Sequence, residues 1–457
     1  MATSLRTGKR LATIGFLTVE FLALFTLFTL WTSGLAIAAD APETAPASLP
    51  ALPATAAPPS THVKPGIEVL LEKHLGLLEG KRIGLVTNQT GVNSQLIHDA
   101  DLLRQVERQM EKQVDNQAES TRLAALFAPE HGLRGDRPAG EYVPSYIDPQ
   151  TKLPVYSLYG KTRKPTPEML AGIDLLLIDL QDVGARAYTY ISTMANVMMA
   201  ARENHLPVMV LDRPNPIGGV AVEGPVLEDD FRSFIGMYPI PVRHGMTIGE
   251  LAGLFNKEFG IDADLTVIPM EGWRREMFFA DTGLPWVATS PNIPKMETPI
   301  FYPGAGLIGE AGFVEGAGTD QPFEYVAAPG IDGSALAESL NGRGLAGVRF
   351  KPISVVPARG GYAGKTSGGV QLEISDTRAF RPVETAVYIL TAIRDQNPDR
   401  SYWPRVAPGA RNMFDLAMGT DAVRLAIQRG EKPETIIAAW QEKLSDFMAV
   451  RARYLIY

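Results

Sequence analysis

The chain has 457 residues, of which 45% are apolar, and its formal net charge at pH 7 is -8. This length predicts two or three domains, and the apolar fraction is sufficient for packed globular cores. The acidic charge and the absence of long Lys or Arg runs argue against nucleic acid as a partner. The chain has no Cys, which excludes disulfides, a thiolate nucleophile, thiolate metal ligands and a lipidated Cys anchor.

Residues 1–38 have the pattern of an export signal. Basic residues precede an apolar stretch and a small-residue cleavage site, at Arg6, Lys9 and Arg10, Leu11 to Trp31, and Ala36 to Ala38. Residues 39–62 are rich in Ala and Pro and are predicted to form an extended linker. We expect an exported protein of the periplasm or cell envelope. An uncleaved N-terminal anchor is the alternative, because about 20 apolar residues can span a bilayer, and it is the only membrane contact predicted.

Four short apolar runs in the first half of the chain each end in a polar cluster. They are separated by segments of helical length, and they lie at Ile83 to Val86, Leu123 to Phe127, Leu175 to Ile178 and Val208 to Leu211. This alternation is typical of a parallel α/β sheet, in which ligands bind at the carboxyl ends of the strands. The sequence therefore predicts a Rossmann-like domain over residues 63–295.

Other elements are predicted from periodicity and capping. In the first domain we expect an amphipathic helix over Leu96 to Gln117, a Met-rich core helix after Tyr190, a helix that starts at the Thr247 to Glu250 capping box, and a strand over Asp264 to Met270. Residues 296–457 are predicted as a smaller α/β domain. Its expected parts are a Gly-rich loop over Gly304 to Gly318, strands at Val348 to Val356 and Val370 to Ile374, and helices at Pro382 to Asp395 and Thr420 to Val450.

Several kinds of chemistry are excluded by missing motifs. The glycines fit neither a phosphate-binding loop nor a dinucleotide fingerprint, no Gly-x-Ser-x-Gly elbow is present, and the six His include no His-x-x-x-His pair. No metal or cofactor is predicted. A divalent ion held by Asp179, Asp182 and Asp212 is the alternative that the sequence leaves open. Carboxylates remain as the acid and base groups.

Glu130 is the strongest candidate among these carboxylates. It follows a predicted strand, lies between Pro129 and Gly132 and neighbours His131. A carboxyl group partly withdrawn from water keeps its proton more readily, and it can then act as a general acid toward a leaving-group oxygen. The structural alternative is that Glu130 caps the following turn or pairs with Arg134 or Arg137. Spacing alone does not decide between these two interpretations.

Long motifs in a fixed order resemble the NamZ family of exo-β-N-acetylmuramidases. The resemblance runs from about Gly66 to Tyr457, and its motifs are Asn88 to Gly91 (NQTG), Pro129 to Gly132 (PEHG), Arg134 to Asp136, Ala139 to Glu141, Pro154 to Gly160 (PVYSLYG), Gln181 to Met194, Asp212 to Pro216 (DRPNP), Pro241 to Glu250 and Pro322 to Glu324. It implies an active cleft between a Rossmann-like domain and a smaller C-terminal domain. It also implies an exported glycosidase that removes N-acetylmuramic acid from the non-reducing end of peptidoglycan fragments such as MurNAc-GlcNAc.

The resemblance also implies roles for particular residues. Glu130, in the PEHG motif, corresponds to the catalytic acid expected for the family. Its partner group is open among His131, Glu141, Tyr190, Asp182 and Glu315, of which His131 and Tyr190 are predicted to be catalytic. Contacts to the sugar are predicted from Asn88, Gln89, Glu141, Gln181, Asp182, Tyr188, Asn215, His244 and Glu315.

The lactyl carboxylate of muramic acid requires a local cation in an acidic protein. A guanidinium can bind a carboxylate through two hydrogen bonds, and the candidates are Arg186, Arg213 and Arg243. Arg186 ranks first because it lies near a predicted helix start, where backbone N–H groups also favour an anion. The alternative for each is an ordinary ion pair.

One loop of the chain departs from the family pattern. In the family pattern, this loop reads close to Glu-Gly-Thr-Asn followed by Gly-Arg-Gly-Thr. This chain instead has Gly309 to Gly312 (GEAG) and Gly316 to Thr319 (GAGT), so that Ala317 stands in place of an Arg. This departure favours one alternative function, a non-catalytic envelope protein that binds muropeptides. A second alternative is a lyase that eliminates across the same sugar ring.

Overall fold

The computed structural model describes residues 62–111, 121–135, 137–138, 140–407 and 409–457. The predicted signal peptide, the linker up to residue 61 and the last part of the helix predicted over Leu96 to Gln117 lie outside these ranges. Across the ranges described, no helix combines the length and the apolar composition that a bilayer crossing requires.

A seven-stranded sheet forms the centre of the N-terminal region. Its strands are β1 (Arg82–Thr87), β2 (Arg122–Ala128), β3 (Tyr146–Ile147), β4 (Pro154–Ser157), β5 (Leu175–Asp179), β6 (Val208–Leu211) and β9 (Leu265–Ile268). Their order is β3-β4-β2-β1-β5-β6-β9, and every neighbouring pair is parallel except β3 with β4. The predicted Rossmann-like α/β fold is confirmed, and the four apolar runs are β1, β2, β5 and β6.

The strand order reverses direction at β1. The chain moves from β1 outward through β2 to β4, and it then returns to the other side of β1 at β5. Ligands bind at such a switch point in open α/β sheets, because the loops after the two neighbouring strands turn to opposite faces and leave a crevice. The loops after β1, β2 and β5 therefore surround the expected site.

Helices cover both faces of this sheet. Leu175 and Leu177 of β5 pack with α1 (Gly66–Lys73) and α2 (Asp99–Glu111), whereas Leu176 and Ile178 pack with α4 (Tyr190–Glu203) and α5 (Ile248–Glu258). A short helix, α3 (Pro167–Leu170), precedes β5. All of β5 is buried, as expected for a strand covered on both faces. The predicted capping box starts α5: Thr247 Oγ1 accepts from Glu250 N at 3.2 Å, and Glu250 Oε2 accepts from Thr247 N at 3.0 Å.

The C-terminal region is built on a three-stranded antiparallel sheet in the order β10-β12-β11. Its elements are α6 (Thr298–Glu310), β10 (Tyr325–Ala328), α7 (Gly333–Asn341), β11 (Val348–Val355), β12 (Ser367–Ile374), α8 (Pro382–Gln396), α9 (Met413–Met418), α10 (Ala422–Gln428), α11 (Pro433–Ala438) and α12 (Gln441–Arg451). A separate hairpin-like pair, β7 (Glu223–Val226) and β8 (Pro241–Arg243), lies between β6 and α5 in the chain.

Two sequence-based predictions for this region are wrong. The segment from Gly304 was predicted to be a loop, but α6 extends through it to Glu310, because its glycines allow close helix packing. A Cβ on Gly304 would lie 2.2 Å from the Pro382 carbonyl oxygen at the start of α8. The single helix predicted over Thr420 to Val450 is divided into α10, α11 and α12. Gly430 has a left-handed φ of 84°, and Pro433 begins the next helix, so neither residue continues a helix.

We expect Gly304→Ala to destabilise the protein by about 1–3 kcal/mol, because the added methyl group forces α6 away from α8. Gly253→Ala in α5 is the matched control, since its Cβ would meet only Tyr454 at 3.7 Å. The control should be neutral or stabilising by up to about 1 kcal/mol through helix propensity. Equilibrium unfolding in urea measures both, and equal stabilities of the two variants would contradict this packing.

Candidate active site

A cavity of about 530 Å³ lies outside the carboxyl ends of the N-terminal strands. Loops after β2 and β5 form one side, with Glu130, His131, Tyr188 and Thr189, while α6 and the segment after it form another side. Its volume is within the usual range of about 300–1,000 Å³ for small-molecule sites. The predicted cleft therefore has walls from both regions of the chain.

Glu130 lies in this cavity two residues after the end of β2. Its side chain is 9% exposed. Oε1 accepts a hydrogen bond from Gly140 N at 2.9 Å, and Oε2 accepts one from Thr189 Oγ1 at 2.7 Å. Arg134, which the sequence allowed as an ion-pair partner, lies instead 3.1 Å from Asp148. The carboxyl group thus braces its loop with one oxygen while it faces the cavity.

His131 also lines the cavity, and its backbone is unusual. Its φ is 72°, a left-handed conformation that costs free energy for a residue with a Cβ. Nδ1 lies 2.8 Å from the Arg137 carbonyl oxygen, so the ring is tied to the loop that follows. The turn at PEHG therefore orients Glu130 and His131 into the same space.

A chain of aromatic rings lies beside Glu130, and three of its members, Tyr188, Tyr302 and Phe323, form a wall of the cavity. Tyr188 meets Tyr190 edge-to-face with ring centroids 4.8 Å apart, and it meets Tyr302 of α6 at 5.9 Å. Tyr302 in turn meets Phe323 at 5.1 Å. Burial raises the pKa of Tyr188, Tyr190 and Tyr302 above the usual value, so the three hydroxyls stay protonated at neutral pH. Such rings offer an apolar surface for one face of a sugar.

Tyr190 does not line the cavity with its neighbours. Its hydroxyl donates to the Thr289 carbonyl oxygen at 2.6 Å. Gln89 Nε2 donates to the Ala288 and Thr289 carbonyls at 2.8 and 3.0 Å, and Asn88 Oδ1 accepts from Thr90 N at 2.9 Å. Tyr190, Asn88 and Gln89 therefore hold the 288–289 segment and the turn after β1, and none of the three lines the cavity.

Four further residues predicted to contact the sugar instead brace loops beneath the cavity. Gln181 Nε2 donates to the Pro214 carbonyl at 2.7 Å, and Asn215 Nδ2 donates to the Met246 carbonyl at 2.9 Å. Asp182 Oδ2 accepts from Gly184 N at 2.7 Å and lies 3.2 Å from His244 Nε2. None of the four lines the cavity, because their polar atoms are directed to backbone groups or to each other.

The predicted carboxylate-binding arginines are also structural. Arg186 is 1% exposed, and its guanidinium donates to the carbonyls of Pro225 (3.0 Å), Ile240 (2.5 Å) and Ala417 (2.8 Å). Burial lowers the pKa of Arg186 to about 9, so it remains charged at neutral pH. Arg213 pairs with Asp179, and Arg243 pairs with Glu223 at 2.6 Å, all buried. None of these arginines lines the cavity.

Of the two glutamates that were predicted to contact the sugar, Glu141 and Glu315, one lines the cavity and the other does not. Glu141 is exposed and does not line the cavity, so its predicted role is not supported by its position. Glu315 lines the cavity from the C-terminal side, next to Glu310. Burial raises the pKa of Glu315 to about 7, and the neighbouring Glu310 adds to the increase. Burial also raises the pKa of Glu310.

Sequence reasoning missed several residues that form the site. Thr189 and Tyr159 lie inside two of the long motifs shared with the family, and their position there could have indicated a role in the site. Glu310 lies in the GEAG segment that departs from the family pattern, whereas Tyr302 and Asn292 gave no such signal, because only the tertiary fold brings them to the cavity. Within the described residues, no three His, Asp or Glu side chains are grouped as a metal ion would require.

The geometry is that of an α/β enzyme whose carboxyl-lined cavity lies at a topological switch point. Models described as exo-β-N-acetylmuramidase NamZ, N-terminal and C-terminal, match residues 83–297 and 300–457. The chain is 48% identical over 395 residues to peptidoglycan β-N-acetylmuramidase NamZ of Bacillus subtilis (strain 168). This alignment covers 86% of this chain and 91% of that relative.

Two crystal structures of DUF1343 family proteins from Bacteroides fragilis NCTC 9343 are also similar. One has a TM-score of 0.79 and 40% identity, covering 87% of this chain and all of the other. The second has a TM-score of 0.69 and 30% identity, covering 86% and 99%. The chain belongs to the NamZ family of exo-β-N-acetylmuramidases. This confirms the resemblance and the predicted enzyme class, glycoside hydrolase.

We expect Arg186→Ala to lower the free energy of unfolding by at least about 3 kcal/mol, because three buried carbonyls lose their donor and each such loss costs about 1–3 kcal/mol. Exposed Arg202 on α4 is the control, and Arg202→Ala should change stability by less than about 1 kcal/mol. Chemical denaturation measures both. A stable Arg186→Ala variant that has lost only substrate affinity would restore the sequence-based prediction.

Proposed function

We propose that the protein is an exo-acting glycosidase that releases N-acetylmuramic acid from the non-reducing end of peptidoglycan fragments, with Glu130 as the general acid. The observation that carries this proposal is the position of Glu130. It is a largely buried carboxyl group in the cavity at the switch point, and its oxygens are held by two uncharged donors.

The surroundings of Glu130 suit an acid catalyst. A catalytic acid must be directed at the leaving-group oxygen to transfer its proton, and an ion pair with a guanidinium or ammonium would hold it away from that oxygen. Among the described residues that line the cavity, none is Lys or Arg. Gly140 N and Thr189 Oγ1 instead fix the direction of the carboxyl group, which positions it for proton transfer.

The substrate class is supported by the Bacillus subtilis relative. The Bacillus subtilis protein is named a peptidoglycan β-N-acetylmuramidase, and it shares 48% identity over 395 residues with this chain. The aromatic wall at Tyr188 and Tyr302 offers an apolar surface for a sugar ring, and the protonated form of Glu315 offers a donor to a sugar hydroxyl. MurNAc-GlcNAc is therefore the proposed minimal substrate.

An exported location is part of the same proposal. Peptidoglycan lies outside the cytoplasmic membrane, and residues 1–38 carry the sequence pattern of an export signal. Cell fractionation, with mass determination of the mature N-terminus, tests this location. A mature chain that starts near Ala39 is expected, and an intact chain found in the cytoplasm would contradict it.

We expect Glu130→Gln to lower kcat on MurNAc-GlcNAc by about 10²–10⁴-fold, the usual contribution of a general acid. The amide oxygen can still accept from Gly140 N, and the amide nitrogen can donate to the Thr189 hydroxyl, so the variant should fold as the wild type does. Mass spectrometry of the released sugar identifies the reaction, because hydrolysis adds a water molecule and elimination does not. A sugar lighter by one water would indicate a lyase.

The matched control for this experiment is Glu168→Gln, at an exposed residue of α3, which should retain full activity. Wild-type protein that binds the disaccharide but leaves it intact at high concentration would indicate a muropeptide-binding protein. Undiminished turnover by Glu130→Gln would reject Glu130 as the acid.

The raised pKa of Glu315 predicts that KM depends on pH. Because its pKa is raised to about 7, the group is neutral in acid and ionises as the pH rises through 7. Ionisation adds a negative charge to a cavity that must accept an anionic sugar, so KM for the disaccharide should rise several-fold between roughly pH 6 and 8. In Glu315→Gln this increase should disappear. A KM profile unchanged by that substitution would show that another group titrates.

A further inference from the structure

The cavity presents an electrostatic problem for an anionic sugar. Its described lining includes the carboxyl groups of Glu130, Glu310 and Glu315, and none of the lining residues is Lys or Arg. The three arginines that the sequence suggested are buried against carbonyls or carboxylates. His131 is the only basic side chain among the described lining residues, so a permanently charged cation for the lactyl group must come from the rim of the cavity.

Arg163 is an exposed arginine next to this rim. Its guanidinium carbon lies 4.1 Å from the ring centroid of Phe234 and 5.3 Å from that of Tyr159. Tyr159 lines the cavity two residues after the end of β4. Burial raises the pKa of Tyr159 and Glu130 adds to the increase, whereas Arg163 opposes it. Tyr159 therefore lies between the proposed catalytic acid and the guanidinium.

Arg163 and its basic neighbour Lys164 are directed to different partners. Thr162 Oγ1 accepts from Lys164 N at 3.1 Å and donates to Lys164 O at 2.6 Å. Lys164 is directed to Glu203, with Nζ to oxygen distances of 2.8 and 2.7 Å. Arg163 makes no ion pair with any residue that the structure describes. Stacking fixes the plane of its guanidinium and leaves the N–H groups at its edge available for a carboxylate.

We propose that Arg163 binds the lactyl carboxylate of N-acetylmuramic acid and thereby selects this sugar over N-acetylglucosamine. This inference rests on the proposed function of the same cavity. The two sugars differ only in the lactyl group, so a cation held at one side of the site is sufficient for discrimination. Phe234 and Tyr159 act as positioning residues for the guanidinium.

The chain contains a matched control for Arg163. Arg411 is also exposed and stacks on a phenylalanine, with its guanidinium carbon 4.6 Å from the Phe231 ring centroid. Phe231 is not among the residues that line the cavity. Arg411→Ala therefore removes the same charge and the same kind of stacking from a ring that does not line the cavity.

The test measures kcat and KM on a chromogenic β-N-acetylmuramide, and inhibition constants for free N-acetylmuramic acid and free N-acetylglucosamine. Arg163→Ala should raise KM and the inhibition constant of N-acetylmuramic acid by about tenfold or more, with kcat and the inhibition constant of N-acetylglucosamine little changed. Arg163→Lys should recover part of the loss, Phe234→Leu should show a smaller loss of the same kind, and Arg411→Ala should match the wild type.

The outcomes separate this inference from the proposed function. Wild-type protein that does not cleave the muramide would reject the proposed function itself. Wild-type cleavage combined with equal changes for both sugars in Arg163→Ala, or with no change for either, would overturn the role of Arg163 alone. Near-native circular dichroism and unfolding of Arg163→Ala confirm that an exposed side chain, and not the fold, was altered.

Discussion

The hydrogen bond from the Thr189 hydroxyl to Glu130 Oε2, 2.7 Å long, joins loops that follow strands on either side of β1. Thr189 directly precedes α4, so the start of this helix is fixed relative to the PEHG turn. Tyr188, the preceding residue, begins the chain of rings that reaches Tyr302 on α6. This contact therefore links the carboxyl group, the aromatic wall and the C-terminal side of the cavity across the switch point.

The long polar motifs beside the site serve mainly to hold irregular backbone. Loops at the carboxyl ends of strands carry N–H and C=O groups without ladder partners, and buried ones must be satisfied by side chains. Gln89, Gln181 and Asn215 satisfy such groups in neighbouring loops. A few side chains then remain to face the cavity, which explains why most of the predicted sugar-binding residues do not line it.

The sequence could predict those features that depend on neighbours along the chain. The apolar runs gave the parallel strands, the Thr247 to Glu250 spacing gave the start of α5, and the position of Glu130 after β2 gave the central carboxyl group. It could not predict the direction of Arg186, because carbonyl groups of Pro225, Ile240 and Ala417 meet only in the folded chain. Likewise, the glycines from Gly304 onward indicate a loop in the sequence, because their role in close packing of α6 against α8 is visible only in the folded chain.

The buried contacts of Arg186 also have a consequence for how the chain folds. Its guanidinium needs the carbonyl oxygen of Ala417, 231 positions further along the sequence. The Rossmann-like half precedes this acceptor in the chain, so one arm of a buried cation lacks its final partner until the C-terminal half has also folded. Folding of the two halves is thereby coupled through a buried charge that neither half satisfies alone.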